Sequence, residues 1–227
     1  MRKYTLSRSK RKSLSIQIKK DGSLHVKAPI HLPQKEIDDF IDSKEKWIAK
    51  HTEEISKKYE LKKEFSLNFD DFVLVRGEKA YIRPIEENMA KYDEKRRIFY
   101  INKDANSKII KYMLIELYKR IAKNHILQRV AFFAKKMNVM PTNVRITNAK
   151  TRWGSCSGKN SINFPWRLIM AEDSAIDYVV VHELAHIKQK NHSPEFWKIV
   201  ETIIHDYKKE KEKLKILSEK LSKENWD

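Results

Sequence analysis

A single cysteine, four glycines and no long apolar run set the first limits on this chain of 227 residues. Cys156 has no partner for an internal disulfide, which agrees with a reducing compartment. The basic N-terminus (Arg2, Lys3, Arg8, Lys10, Arg11, Lys12) is not followed by the uninterrupted apolar stretch of a secretory signal or a membrane span, so a cytoplasmic protein is expected. The glycines, at 22, 77, 154 and 158, all fall in segments that read as strand or turn, and they place the hairpins. No internal repeat and no low-complexity linker is present. What is there is a 41% hydrophobic content, enough for one full-sized core with an appendage or for two small domains.

Lys and Arg number 48 against 31 Asp and Glu, a formal net charge of +17, and the excess is uneven. Residues 1–20 carry eight basic side chains and no acidic one, while residues 108–136 set Lys108, Lys111, Lys119, Arg120, Lys123, Arg129, Lys135 and Lys136 against Glu116 alone. Such surfaces attract polyanions through counterion release. A solvated, solubilising surface has the same composition, so both readings stand.

Periodicity points to an α+β fold. Leu14, Ile16 and Ile18, then Leu24, Val26 and Ala28, alternate with polar neighbours around Asp21-Gly22, which predicts a hairpin over 13–28. Ile37, Phe40, Ile41, Trp47, Ile48 and Ile55 recur at helical spacing over 33–57. Strands are expected at 72–76, 79–83 and 97–102, a long helix over 106–137, and a hairpin across 144–168. Ser174 is placed to cap the next helix, and Ser193-Pro194 to open another. The charged tail from 207 reads as a helical extension, frayed at its end. Two domains are expected: residues 1–103, β-rich with one helix, and residues 104–227.

The stretch "VVVHELAHIKQKNHSPEFW" at 179–197 carries the chemistry. His182 and His186, four apart, lie on one helical face and aim at one point, with Glu183 beside them but turned away from direct ligation. This is H-E-x-x-H, two zinc ligands and a general base; His192, six residues further on, is the candidate third ligand that leaves one coordination position for water. An accidental H-E-x-x-H is expected about 0.02 times in a chain of this length and composition. The three valines imply burial, and buried imidazoles and a carboxylate without a metal cost several kcal/mol in unsatisfied polar groups. One Zn2+ per chain is therefore expected. It would bring water towards a neutral pKa, with Glu183 taking the proton and later returning it to the leaving group.

Together with "RWGSC" at 152–156, "NHSPEFW" at 191–197 and the N-terminal "LSIQIKKDGSLHVKAPI" and "WIAKH", the motif resembles the YgjP-like metal-dependent hydrolase family, a zincin group similar to the SprT and WLM metallopeptidases. The resemblance spans about residues 10–207. It implies His182, His186 and His192 as zinc ligands, Glu183 as catalytic base, and a minimal zincin-like lobe whose edge strand borders the cleft. In such peptidases the substrate backbone lies along that edge, here drawn from the hairpin at 144–168. Arg152 and Trp153 would then stand near the site, suited to a carboxylate, phosphate or aromatic contact, or else Trp153 fills core and Arg152 holds the turn. Cys156 reads as a small buried residue, with a fourth ligand or an inhibitory switch as alternatives.

Three functions remain open on the sequence: a zinc metallopeptidase, a metal-dependent hydrolase of nucleotide phosphoanhydrides on the same site, and a nucleic-acid-associated module with a SprT-like role. The partners to match are a protein or peptide, a nucleotide, and nucleic acid held by the basic surface. No membrane partner is expected.

Overall fold

The computed structural model describes residues 3–19 and 21–226; Arg2 of the basic N-terminus lies outside them. The chain divides into two compact units, one built mainly on residues 1–65 and the other on 66–220 with Trp226. The expected boundary at 103/104 thus cuts through the second unit. The reason is packing: the sheet that precedes residue 103 has its core face on the long helix that follows it, with Phe99 and Tyr118 rings 5.5 Å apart and the Tyr118 hydroxyl donating to the Leu74 carbonyl at 2.8 Å.

In the first unit, β2 (Ser15–Ile18) and β3 (Leu24–Pro29) form the expected hairpin, with Ile16 opposite Val26 and Ile18 opposite Leu24. Gly22 turns it at φ +82°. A further strand, β1 (Tyr4–Ser9), lies parallel to β3. Its short, basic alternation is too weak a signal to stand out in the sequence. The helical segment is two helices, α1 (Gln34–Ser43) and α2 (Glu45–Glu64), separated at Lys44, which leaves helical geometry at φ −105°, ψ 10°. Leu24, Val26, Ala28, Ile37, Ile41 and Ile48 close this unit's core.

The second unit holds two small sheets and four helices among the described residues. β4 (Phe72–Val75) and β5 (Glu78–Ile85) turn through Arg76 and Gly77, both at positive φ (53° and 79°), as a tight hairpin of right-handed strand twist demands. β5 pairs in parallel with β7 (Ile98–Asn102), and β6 (Ala90–Asp93), unanticipated, closes the sheet on β7. α3 (Ser107–Met137) matches expectation; Asn106 caps it by accepting from the Ile109 amide, and Asn138 ends it in the left-handed conformation.

The segment 144–168 is not one hairpin. β8 (Asn143–Thr147) pairs in parallel with β10 (Ser161–Pro165), and only the two-residue β9 (Ser155–Cys156) runs antiparallel to β10. The order β8-β10-β9 leaves β9 on an edge. A 3-10 turn over 166–170 then leads into α4 (Asp173–Lys188), and α5 (Pro194–Ile203) and α6 (Tyr207–Leu221) follow. Glu172, not Ser174, occupies the cap position of α4; the Ser174 hydroxyl instead donates to the buried carboxylate of Glu210 on α6 at 2.7 Å. The tail is therefore a packed element, with Leu214, Leu217 and Trp226 buried. No helix among the described residues is long and apolar enough to cross a membrane.

Candidate metal centre

The centre is built on α4, a helix buried on most of its circumference: Ala175, Ile176, Tyr178, Val179, Val180, Val181, Leu184 and Ala185 all lie in the core. Such burial fixes the helix's rotation and with it the direction of the two histidines four residues apart. The helix stops at Lys188, where Gln189 turns extended while its amide still donates to the Ala185 carbonyl at 2.9 Å. The Gln189 side-chain amide bonds the Ser193 hydroxyl (2.9 Å), and the Ser193 amide bonds Asn191 Oδ1 (3.3 Å). These two short ties fold 189–193 back and bring His192 over the helix. Pro194 starts α5 without losing a hydrogen bond.

His182, His186 and His192 form one group whose ligand atoms all lie within 4.8 Å of one another. His182 Nε2 and His192 Nε2 are 3.1 Å apart. The nitrogens of a tetrahedral zinc with Zn–N bonds of about 2.0–2.1 Å would stand about 3.4 Å apart, close to the separation of the His182–His192 pair. His186 Nδ1 faces the Gln189 carbonyl at 3.1 Å, which places the ring hydrogen on Nδ1 and keeps a lone pair on Nε2. Burial, followed by the neighbouring His186 and His192, brings the His182 pKa down to about 3, so the ring is neutral as a ligand must be. Burial lowers His186 as well. Phe196 packs against all three rings, with centroids 4.5–4.9 Å away, and is itself fully buried. His182 Nδ1 is buried without a hydrogen-bond partner among the described residues.

Glu183 points to the other side of the helix face, towards the segment carrying β9. It is 5% exposed, and burial pushes its pKa up to about 7 against the pull of Arg152. Its carboxylate lies flat on Gly154: a Cβ at that glycine would stand 2.6 Å from Glu183 Cγ and 2.7 Å from Cδ. In the sequence Gly154, within "RWGSC", reads only as a turn residue, and this contact is not legible there. Trp153 does not fill core. It is half-buried, and its indole N–H donates to the Ser218 hydroxyl on α6 at 3.1 Å. Arg152 is exposed and acts on Glu183 through space. Cys156 is half-buried within the same segment, in β9, and outside the histidine group, and burial pushes its thiol up.

An aromatic layer backs the three histidines. Trp197 stacks on His192 (5.7 Å, 25°), Tyr207 of α6 stacks on Trp197 (5.0 Å, 17°), and Tyr178 sets its edge against His182 at 5.8 Å. Tyr178, one helical turn before His182, was detectable from that spacing. Its hydroxyl is pushed up to about 12, mainly by burial. The remaining histidines stay apart from the group; His125, for example, lies 3.1 Å from Asp173.

No curated protein sequence matches the chain. Among solved structures, the crystal structure of the metallopeptidase zymogen of Pyrococcus abyssi abylysin is similar at 24% identity, covering 44% of this chain and 98% of that one with a TM-score of 0.38. The YgjP-like family, described as a metallopeptidase domain, matches residues 12–216, most of the first unit and nearly all of the second. On that match, which covers most of its length, the chain belongs to the YgjP-like metallopeptidase-domain family.

Proposed function

We propose that the protein is a zinc metallopeptidase in which His182, His186 and His192 hold the ion and Glu183 is the general base. The observation that carries this reading is the pairing of three clustered imidazoles with an adjacent buried carboxyl group whose pKa is raised to about 7. Zinc bound there would supply a Lewis acid that acidifies water and polarises the scissile carbonyl. Glu183, ionised at neutral pH in part of the population and shielded from bulk solvent, takes a proton from the attacking water at its carboxylate and passes it to the leaving amine. The edge strand β9, whose segment lies against Glu183, supports an extended peptide laid along the sheet. Arg152 lies where it can meet a substrate carboxylate or polarised oxygen. The single cysteine supports a reducing, cytoplasmic setting.

A second reading keeps the centre and changes the electrophile to a nucleotide phosphoanhydride; the excess of 48 basic over 31 acidic residues favours it. The same charge supports contact with nucleic acid, which retention on DNA that weakens steeply with salt would reveal. Incubating zinc-loaded wild type and Glu183→Gln with unfolded casein and with nucleoside triphosphates separates the two hydrolase readings. The expected result is casein cleavage by wild type and none by Glu183→Gln, which keeps its zinc. Triphosphate hydrolysis alone would favour the second reading, and a fully active Glu183→Gln would remove the base from both.

A further inference from the structure

The geometry points to α6 as part of the catalytic apparatus: we propose that Ser218, through its hydrogen bond to Trp153, is a positioning residue that holds the 152–156 segment against Glu183. The inference rests on Glu183 being the base. Among the described residues no side chain hydrogen-bonds the Glu183 carboxylate; it lies against Gly154, so the carboxylate's place is set by where that backbone sits. Two features bound the segment. On its far side Ser155 and Cys156 pair with Asn163 and Ile162 of β10, which holds only the residues after Gly154. Between β8 and Gly154 the described residues form no strand; Asn148, near the start of that stretch, accepts from the Trp166 and Arg167 side chains, and next to Gly154 itself Trp153 is tied by the 3.1 Å bond from its indole to Ser218.

α6 is able to serve as an anchor because it is itself fixed at points along its length. Tyr207 stacks on Trp197, Glu210 is buried and receives the Ser174 hydroxyl, and Leu214 and Leu217 lie in the core. Ser218 follows directly on Leu217, on a turn that cannot move without disturbing that packing. In the sequence Trp153 reads equally as a substrate contact or as core. With its N–H committed to α6, it acts through Gly154 instead.

The test uses the full-length, zinc-loaded protein and three variants. Trp153→Phe keeps a ring and removes the N–H, Ser218→Ala removes the acceptor, and Ser218→Thr restores it. A neutral hydrogen bond that orders a catalytic segment is worth roughly three- to tenfold in rate. Trp153→Phe and Ser218→Ala should therefore each lower kcat on unfolded casein by about that factor with KM and zinc content unchanged, their effects should not add in the double variant, and Ser218→Thr should recover most of the loss. The bond is also read without turnover: Ser218→Ala should shift the Trp153 indole N–H resonance and speed amide exchange at 154–156, and Ser218→Thr should shift them less. A raised KM with unchanged kcat in Trp153→Phe would make Trp153 a substrate contact and overturn the proposal. Unmoved resonances and exchange would overturn it as well. If wild type shows no zinc-dependent hydrolysis, the functional reading fails by itself while the resonance and exchange data still decide the anchoring.

Discussion

Adding one methyl group at Gly154 tests the site most sharply. The backbone there is outside the left-handed region, so alanine meets no conformational penalty; the whole effect of Gly154→Ala is collision. Its Cβ would sit 2.6 and 2.7 Å from Cγ and Cδ of Glu183. Restoring ordinary carbon contacts of about 3.5 Å requires the carboxylate or the strand to move by close to an ångström. Overpacking of this kind costs about 1–3 kcal/mol, which for a unit of this size lowers Tm by about 2–10 °C. A misplacement of about 1 Å at a catalytic group costs on the order of 100-fold in rate. Gly158→Ala is the matched control, because a Cβ at 158 meets nothing within 4 Å and its backbone is equally ordinary. Thermal melting, zinc content and casein turnover of the two variants should therefore diverge, with zinc retained in both. Glu183→Ala should also relieve the stability cost of Gly154→Ala, since the colliding atoms are then gone. A Gly154→Ala protein as active and as stable as Gly158→Ala would refute the reasoning.

Two other outcomes follow from the same geometry. Removing zinc with a chelator should lower Tm, and restoring zinc should recover it, because a ligand bound only to the folded state at about 1,000 times its Kd contributes about 4 kcal/mol; His192→Ala should abolish that response, and a chelator-insensitive wild type would count against the centre. Asp173 receives two bonds from Arg76, at 2.8 and 2.6 Å, which hold its carboxyl below the ordinary aspartate range. With the folded value depressed, the pair contributes stability above the unfolded aspartate pKa of about 3.9 and loses it as pH falls through the folded value. Urea unfolding from pH 5 down to pH 2 should accordingly show a shallower loss in Asp173→Asn than in wild type, and parallel curves would show that the pair contributes nothing.

The clustering of the histidines was legible because helical period and sequence spacing are the same thing over four residues: His182 and His186 converge as soon as α4 is a helix. His192 was legible because Pro194 starts a new helix two residues later, leaving a short link with few conformations. The N-terminal hairpin and α3 were equally visible, each having a clear period and a clear terminator. What escaped were features that depend on through-space neighbours. β1 and β6 are strands by virtue of partners far along the chain, and the parallel pairing of β8 with β10 cannot be told from a hairpin by alternation alone. The domain boundary was misplaced because the sheet around Phe99 has its core face on Tyr118, a residue in the next element. Ser174 shows the same limit: a good cap in local terms, it serves Glu210 instead, thirty-six residues away.

The imidazole of His182 owes its aim to shape. Metal-binding histidines are usually steered by an acceptor for their second nitrogen, but here Nδ1 faces none among the described residues, and Phe196 and Tyr178 wedge the ring in place. Affinity for the ion should then respond to side-chain volume in the hydrophobic wall more than to any polar substitution around it. Trimming Phe196 to leucine would loosen three donors at once, a vulnerability that a search confined to titratable groups would pass over.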